Sequence, residues 1–191
     1  MPVQQKAEIL AVSQVGQYTQ FTVIAPDIAR DARPGHFITV GVGGPRSSMI
    51  LRRSFALYDA TPGDSYAGTV QFVVSPQGPG TQWLVRQPAG AMLDLVGPLG
   101  RPFPLPEEQA PAVLVGGGYG TAPLIPLARE LIARGSDVEM VVGAASADRL
   151  FGEVVARRTA GAVTVTTDDG SAGERGRVTD VLPLILARSR A

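Results

Sequence analysis

Ala112-Val113-Leu114-Val115-Gly116-Gly117-Gly118-Tyr119-Gly120-Thr121-Ala122-Pro123-Leu124 decides the reading of the second half of the chain. Four apolar residues run directly into a glycine cluster, and a helical stretch follows from about Thr121 to Arg134. A short apolar run bounded by turn residues fits a buried strand. The alternation repeats downstream. Val138–Val142 reads as a second strand, Asp148–Arg158 as a helix, Val163–Thr166 as a third strand and Val178–Ala187 as a last helix. Strand–helix alternation predicts a parallel, doubly wound sheet. Three strands are few where such sheets usually have about five or six. The chain ends at Ala191 just after a helix, so either a partner covers that sheet edge or the α/β domain is shortened from a longer protein, and the second is the expectation.

Upstream, Gly100–Pro111 carries four prolines and reads as a stiff linker, residues 101–111. The pattern before it is different. Glu8–Val15, Thr19–Ala25, Phe37–Val42, Ser54–Tyr58, Thr69–Ser75 and Met92–Val96 are rich in Val, Ile, Phe, Thr and Tyr between Gly, Pro, Asp and Ser clusters. Helical periodicity is confined to Thr81–Arg86. Short strands at this spacing predict an antiparallel barrel or sandwich over residues 1–100, with the α/β domain over 112–191.

Composition narrows the function. Of 191 residues, 45% are hydrophobic and 18% charged, enough apolar material for a core and too little charge for a disordered chain. Seventeen basic and seventeen acidic side chains cancel, and no basic patch stands out, which argues against a nucleic-acid partner. There is no cysteine, so disulfides, thiolate metal sites and cysteine nucleophiles are excluded. The single histidine, His36, makes a histidine-built metal site improbable and reads as structural. The N-terminus lacks the apolar region of a signal peptide, and no apolar run approaches the ~18 residues of a membrane span. The expected setting is cytoplasmic, with no membrane contact.

The glycine run is the strongest local signal. A glycine-rich turn after a buried strand lets the backbone approach a pyrophosphate, and the following helix start offers free N–H groups. The strict dinucleotide fingerprint is not met, because the third glycine would fall at Thr121, and no acidic residue closes the second strand, which ends Val142-Gly143-Ala144. The segment reads either as a variant nucleotide site or as a tight strand–helix turn. Thr166-Thr167-Asp168-Asp169-Gly170-Ser171 lies at the C-terminal end of a parallel strand, where open α/β sheets bind ligands; it reads equally as an Asp-Gly turn. Arg52 and Arg53 interrupt an apolar strand and call for an anion, whether a phosphate, an internal carboxylate or an acidic partner. They point to opposite faces, so only one is expected to touch a ligand. Gly78-Pro79-Gly80-Thr81 reads as an anion nest with a hydroxyl donor, or as an ordinary helix cap. Trp83 is expected to pack beneath the short helix.

These motifs, in this order, resemble the ferredoxin–NADP reductase superfamily, and within it the electron-transfer subunits of class 1B dihydroorotate dehydrogenases. Arg52-Arg53-Ser54-Phe55, Gly80-Thr81, Gly97-Pro98-Leu99-Gly100, the glycine run 116–124 and Thr167–Ser171 carry the resemblance. It implies an antiparallel flavin-binding β-barrel followed by a nicotinamide-nucleotide-binding α/β domain. Arg53 would face the FAD pyrophosphate, Ser54, Phe55 and Ala56 would run along the flavin, and Val73, Val74 and Ser75 would line the strand beside it. Gly80 and Thr81 would hold the phosphates. Gly116, Gly117, Gly118, Tyr119, Gly120 and Thr121, with Thr167, Asp168 and Asp169, would meet NAD. The implied task is electron transfer in pyrimidine biosynthesis, from the FMN of a catalytic dihydroorotate dehydrogenase partner, through a [2Fe–2S] cluster, to FAD and NAD, within a heterotetramer.

The sequence departs from that pattern in three places. Ala56 stands where the family carries Ser or Thr, the four cluster-binding cysteines are missing, and so is the Cys-Gly-Pro strand. The alternatives are a related flavoprotein serving another electron acceptor and a non-catalytic interaction module. NAD and NADP are not distinguished. Ser146 and Arg149 are positioned to meet a 2′-phosphate or to be solvated loop residues.

Overall fold

A computed structural model describes residues 1–44, 47–63 and 67–189. The chain divides into two units, Met1–Pro102 and Phe103–Ala191.

In the first unit, apolar residues recur at every second position, which puts them on one side of a pleated strand. Ala7 and Ile9 on β1 (Val3–Val15), Phe21 and Val23 on β2 (Tyr18–Ile24), and Ile38 and Val40 on β3 (Phe37–Val40) are all buried. So are Phe55 and Leu57 on β4 (Arg53–Thr61), Val70, Phe72 and Val74 on β5 (Thr69–Val74), and Leu93 and Leu95 on β6 (Met92–Leu99). The strands pair antiparallel into a closed barrel in the order β1-β2-β5-β4-β3-β6, so the barrel alternative holds over the sandwich. Closure removes free edges and buries the inner faces together. Phe72 sits at the centre, 5.3 Å by ring centroid from both Phe21 and Phe55.

Two short helices accompany the barrel. Helix α2 (Pro79–Leu84) matches the helical segment expected from Thr81, and Trp83 packs against the barrel core. Helix α1 (Pro26–Asp31) was not expected. Its six residues are too few to display a repeat. It starts on a proline with Asp27 in its first turn, and it buries Ile28 and Ala29. β1 is also longer than its sequence suggests. Val3 to Glu8 pairs with Gly97 to Met92, and this pairing overrides the polar character of Gln4, Gln5 and Lys6.

The second unit is a parallel sheet of four strands in the order β10-β9-β8-β7. These are β7 (Ala112–Gly117), β8 (Val138–Ala144), β9 (Ala162–Thr167) and β10 (Glu174–Arg175). The expected three strands are therefore four. The two-residue β10 has no propensity signal and exists through its pairing with Thr166 and Thr167. Central β8 is buried on both faces, as its apolar run requires, whereas β7 lies at the sheet edge with Val115 partly exposed. Helix α3 (Leu124–Ala133) buries Ile125, Leu127, Ala128 and Leu131, and it begins only after a 3-10 turn over Gly118–Thr121. The expected helix 148–158 is broken by Gly152 at φ +76°, leaving a 3-10 turn at Ala147–Arg149 and α4 (Glu153–Thr159). Helix α5 (Val178–Ser189) packs Val181 and Ile185 against Val141. Residues 103–111 form neither strand nor helix, and Gln109 Nε2 donates to the Arg134 carbonyl. No helix among the described residues is long and apolar enough to cross a membrane.

Candidate functional site

Arg53 opens β4 and Arg52 stands just before it, and the structure gives the two arginines different tasks. Arg52 turns to the neighbouring strands. Its Nε donates to Thr39 Oγ1 at 3.1 Å, and its Nη2 donates to the Asp94 carbonyl at 2.6 Å and to Asp94 Oδ1 at 3.2 Å. The internal carboxylate was one of the anions open at the sequence level, and for Arg52 it is the observed one. Asp94 also accepts Gln4 Nε2 at 3.0 Å. Burial pushes the Asp94 pKa up, but the bonds from Arg52 and Gln4 outweigh it and hold the carboxyl below its ordinary value.

Arg53 faces the other way. Its Nη1 donates to the Leu51 carbonyl at 2.7 Å, and the guanidinium lies over Gly80. A Cβ at Gly80 would stand 2.9 Å from Arg53 Nε and 3.0 Å from Nη2, so glycine lets the guanidinium rest there and a larger residue would push it aside. The fold thus joins two motifs 27 positions apart, the arginine of β4 and the first turn of α2. Ser54 and Ala56 are exposed on the outer face of β4, while the Phe55 side chain points into the core and leaves only its backbone on that surface. Val74 also faces the core, Val73 is buried on the opposite side, and Ser75 is half-buried. The Thr81 hydroxyl is not a free donor. It accepts the N–H groups of Gln77 and Gly78 and donates to the Gly78 carbonyl, each at 3.0 Å, so it holds the turn together.

In the second unit, the register brings Gly117 beside Gly143 and Ala144 beside Thr167. Gly116–Thr121 and Thr167–Asp169 therefore share the carboxyl edge of one sheet, with the end of β8 between them. The glycines differ in role. A Cβ at Gly116 would meet Thr121 Oγ1 at 2.8 Å, so this glycine seats the loop on the strand. Gly117 and Gly120 have open space on the side where a Cβ would project, so a ligand can approach their backbone closely. Thr121 is fully buried, and its hydroxyl has no hydrogen-bond partner among the described residues. Tyr119 is partly exposed at the loop tip.

The Thr167 segment is built tightly. The buried Thr167 hydroxyl donates to the Ala172 carbonyl at 2.8 Å and accepts its N–H at 3.0 Å, so it braces the loop. Asp169 Oδ1 accepts the Ser171 hydroxyl at 2.6 Å and its N–H at 2.9 Å, which lowers the Asp169 pKa. The Asp168 carboxylate is exposed. Ser171 Oγ also accepts the Ala147 N–H at 2.8 Å, lacing this loop to the end of β8. Ser146 donates to Asp148 Oδ1 at 2.5 Å, so its hydroxyl is engaged within its own loop. His36 Nδ1 accepts the Arg33 N–H at 3.1 Å, a structural role, and burial with the nearby Arg33 charge lowers its pKa. Sequence reasoning missed Asp94 and Gln4. The available signal was an acid inside the apolar strand Met92–Leu95, complementary to an arginine that had no other use.

No family model matches the chain. It is 36% identical over 165 residues to the dihydroorotate dehydrogenase B (NAD(+)) electron transfer subunit of Geobacillus thermodenitrificans (strain NG80-2), covering 85% of this chain and 62% of that one. To the subunit of the same name from Listeria monocytogenes serotype 4a (strain HCC23) it is 32% identical over 184 residues, covering 94% and 69%. The chain thus spans about two thirds of the length of these curated relatives. Among solved structures, the NADH-dependent reduced ferredoxin–NADP oxidoreductase superposes with TM-score 0.82 at 29% identity, covering 96% of this chain and 64% of that one. A ferredoxin NADP+ reductase from Neisseria gonorrhoeae gives 0.74 at 17% identity, covering 95% and 76%, a likeness of fold alone. The barrel, the parallel sheet and the sequence relationship together establish that the chain belongs to the family of dihydroorotate dehydrogenase B (NAD(+)) electron transfer subunits.

Proposed function

We propose that the chain is a flavin-dependent electron-transfer component that binds FAD on the barrel and NAD(H) at the carboxyl edge of the parallel sheet. It would pass electrons between NAD and a catalytic dihydroorotate dehydrogenase subunit in cytoplasmic pyrimidine biosynthesis. The observation that carries this reading is the seating of the Arg53 guanidinium on Gly80, which aims a permanent cation at the first turn of α2. A diphosphate needs such a combination of charge and open backbone. Arg53, with the backbone of Gly80 and Thr81, would bind the FAD pyrophosphate. Ser54, Ala56 and the Phe55 backbone would run along the ring system, beside Val73, Val74 and Ser75. FAD, when bound, supplies the redox chemistry; the residues bind it, orient it and exclude water.

Gly116–Gly120 and Thr121 would receive the NAD pyrophosphate, supported by the open space at Gly117 and Gly120. Asp168 and Asp169 would accept hydroxyl hydrogens from the nucleotide, with Thr167 bracing them. The chain's residues do not fit a [2Fe–2S] cluster, because none of the 191 is cysteine and no group of His, Asp or Glu among the described residues is gathered to hold a metal. The proposed partner is the FMN-containing catalytic subunit, in a heterotetramer. The superposition on a reduced ferredoxin–NADP oxidoreductase at 29% identity supports one second reading, a related flavoprotein serving another electron acceptor.

The test is the visible spectrum of the purified protein with mass analysis of what heat releases. A flavin spectrum and released FAD are expected, with bleaching by NADH under argon and reoxidation by the catalytic subunit. A protein that neither holds nor takes up FAD overturns the proposal. Bleaching without transfer to the catalytic subunit selects the second reading.

A further inference from the structure

We propose that Arg52 is a positioning residue for flavin-nucleotide binding. Pinned to β3 and β6, it fixes the stretch of backbone on which the Arg53 guanidinium rests. This rests on the reading of Arg53 as the pyrophosphate ligand.

The dependence runs through two carbonyl oxygens. Arg53 Nη1 donates to the carbonyls of Leu51, at 2.7 Å, and Arg52, at 3.4 Å. The direction of the Arg53 fork therefore follows the path of residues 51–52. Beyond the packing of Met49 against the barrel core and the pairing of Arg53 with Val40, little else holds that path. Ile50 and Leu51 are 87% and 71% exposed, so their side chains contribute almost no packing, and residues 47–52 form no strand or helix. The Arg52 side chain supplies what packing does not. It bonds Thr39 on β3 through both hydroxyl and carbonyl, and Asp94 on β6 through both carbonyl and carboxylate. Asp94 is itself held by Gln4 from β1. Two strands of the closed barrel thus meet on one guanidinium, with β1 behind them through Gln4 and Asp94, and its backbone neighbour carries the ligand-facing one. Adjacent arginines on opposite faces act as anchor and ligand.

The test compares ligands that contain the pyrophosphate region with one that lacks it. The full chain, with R52M, R52K, D94N and R53A, is titrated with FAD, ADP and riboflavin, and dissociation constants are read by fluorescence or calorimetry. Melting curves verify folding. R52M should weaken FAD and ADP by about tenfold, the size expected when a charged hydrogen-bonded anchor is lost, and leave riboflavin within about twofold. R52K, which keeps the charge without the fork, should recover part of the loss, and D94N should show a smaller one. Should R52M not fold, the same split is read from R52K and D94N. Equal losses for riboflavin and FAD would mean that Arg52 only stabilises the barrel, and would overturn the proposal. Unchanged FAD affinity in R52M with a loss in R53A would overturn it while leaving the Arg53 reading intact. Unchanged FAD affinity in R53A would overturn the Arg53 reading and this inference with it.

Discussion

At the scale of single residues, small and charged groups define the candidate sites while large apolar ones hold them. Gly80→Ala places a methyl 2.9–3.1 Å from three atoms of the Arg53 guanidinium, so the fork must move. A loss of FAD affinity of about tenfold is expected, with little change in melting temperature, measured by flavin titration and thermal unfolding. Phe72→Ala acts oppositely. It empties the centre of the Phe21–Phe72–Phe55 group and should cost about 3–5 kcal/mol of stability, read from denaturant unfolding. The sequence already separated Arg52 from Arg53 by strand alternation, and it framed the choice of anion. It did not reveal which arginine met which anion, because Asp94 lies 42 positions away and the pairing is made by barrel closure.

At the scale of elements, the loop after β9 is a tightly constrained part of the proposed nucleotide edge. Gly170, Gly173 and Gly176 all take positive φ, and a Cβ at Gly173 would run into the Val165 carbonyl. Gly173→Ala should therefore unseat the Thr167–Ala172 and Asp169–Ser171 bonds. NADH affinity should fall about tenfold or more while the flavin spectrum stays unchanged, which equilibrium titration of the flavin-loaded protein would show. Elements with strong local signals were legible: the β-branched strands of the barrel, the apolar run of β8, and the strand–glycine–helix sequence from Ala112. Elements made by tertiary pairing were not. Val3–Glu8 becomes strand because β6 lies beside it, Glu174–Arg175 because β9 does, and Pro26–Asp31 is one short helix without a repeat. Gly152 was visible in the sequence, but its left-handed conformation, which divides the expected helix, was not.

At the scale of the whole molecule, acid acts on several groups in the same direction. His36 titrates below its ordinary 6.5 in the folded chain, so the unfolded chain takes up its proton first and stability falls as pH drops through that range. Asp94 is depressed below 3.8 by its bonds to Arg52 and Gln4; its contribution is complete above that value and is lost as pH falls through the folded one. Asp31 and Asp169, both exposed, are shifted the same way. Melting temperature should decline modestly from pH 7 to 5 and more steeply below 4. His36→Gln should flatten the upper part and Asp94→Asn the lower, as measured by calorimetry across pH.

The pairing of β6 with both β1 and β3 also has a bearing on biosynthesis. Val3 waits for Gly97, and Glu8 for Met92. During translation the first strand therefore leaves the ribosome with its second half, Glu8 to Val15, paired in the β2 hairpin and its first half, Val3 to Glu8, bare, on the order of ten seconds before its partner emerges. β3 waits for the same arrival. The nascent chain has a single late event on which two earlier strands depend, and a pause or a premature stop before Leu99 would strand both with open hydrogen-bonding edges, the condition that chaperones and proteases recognise.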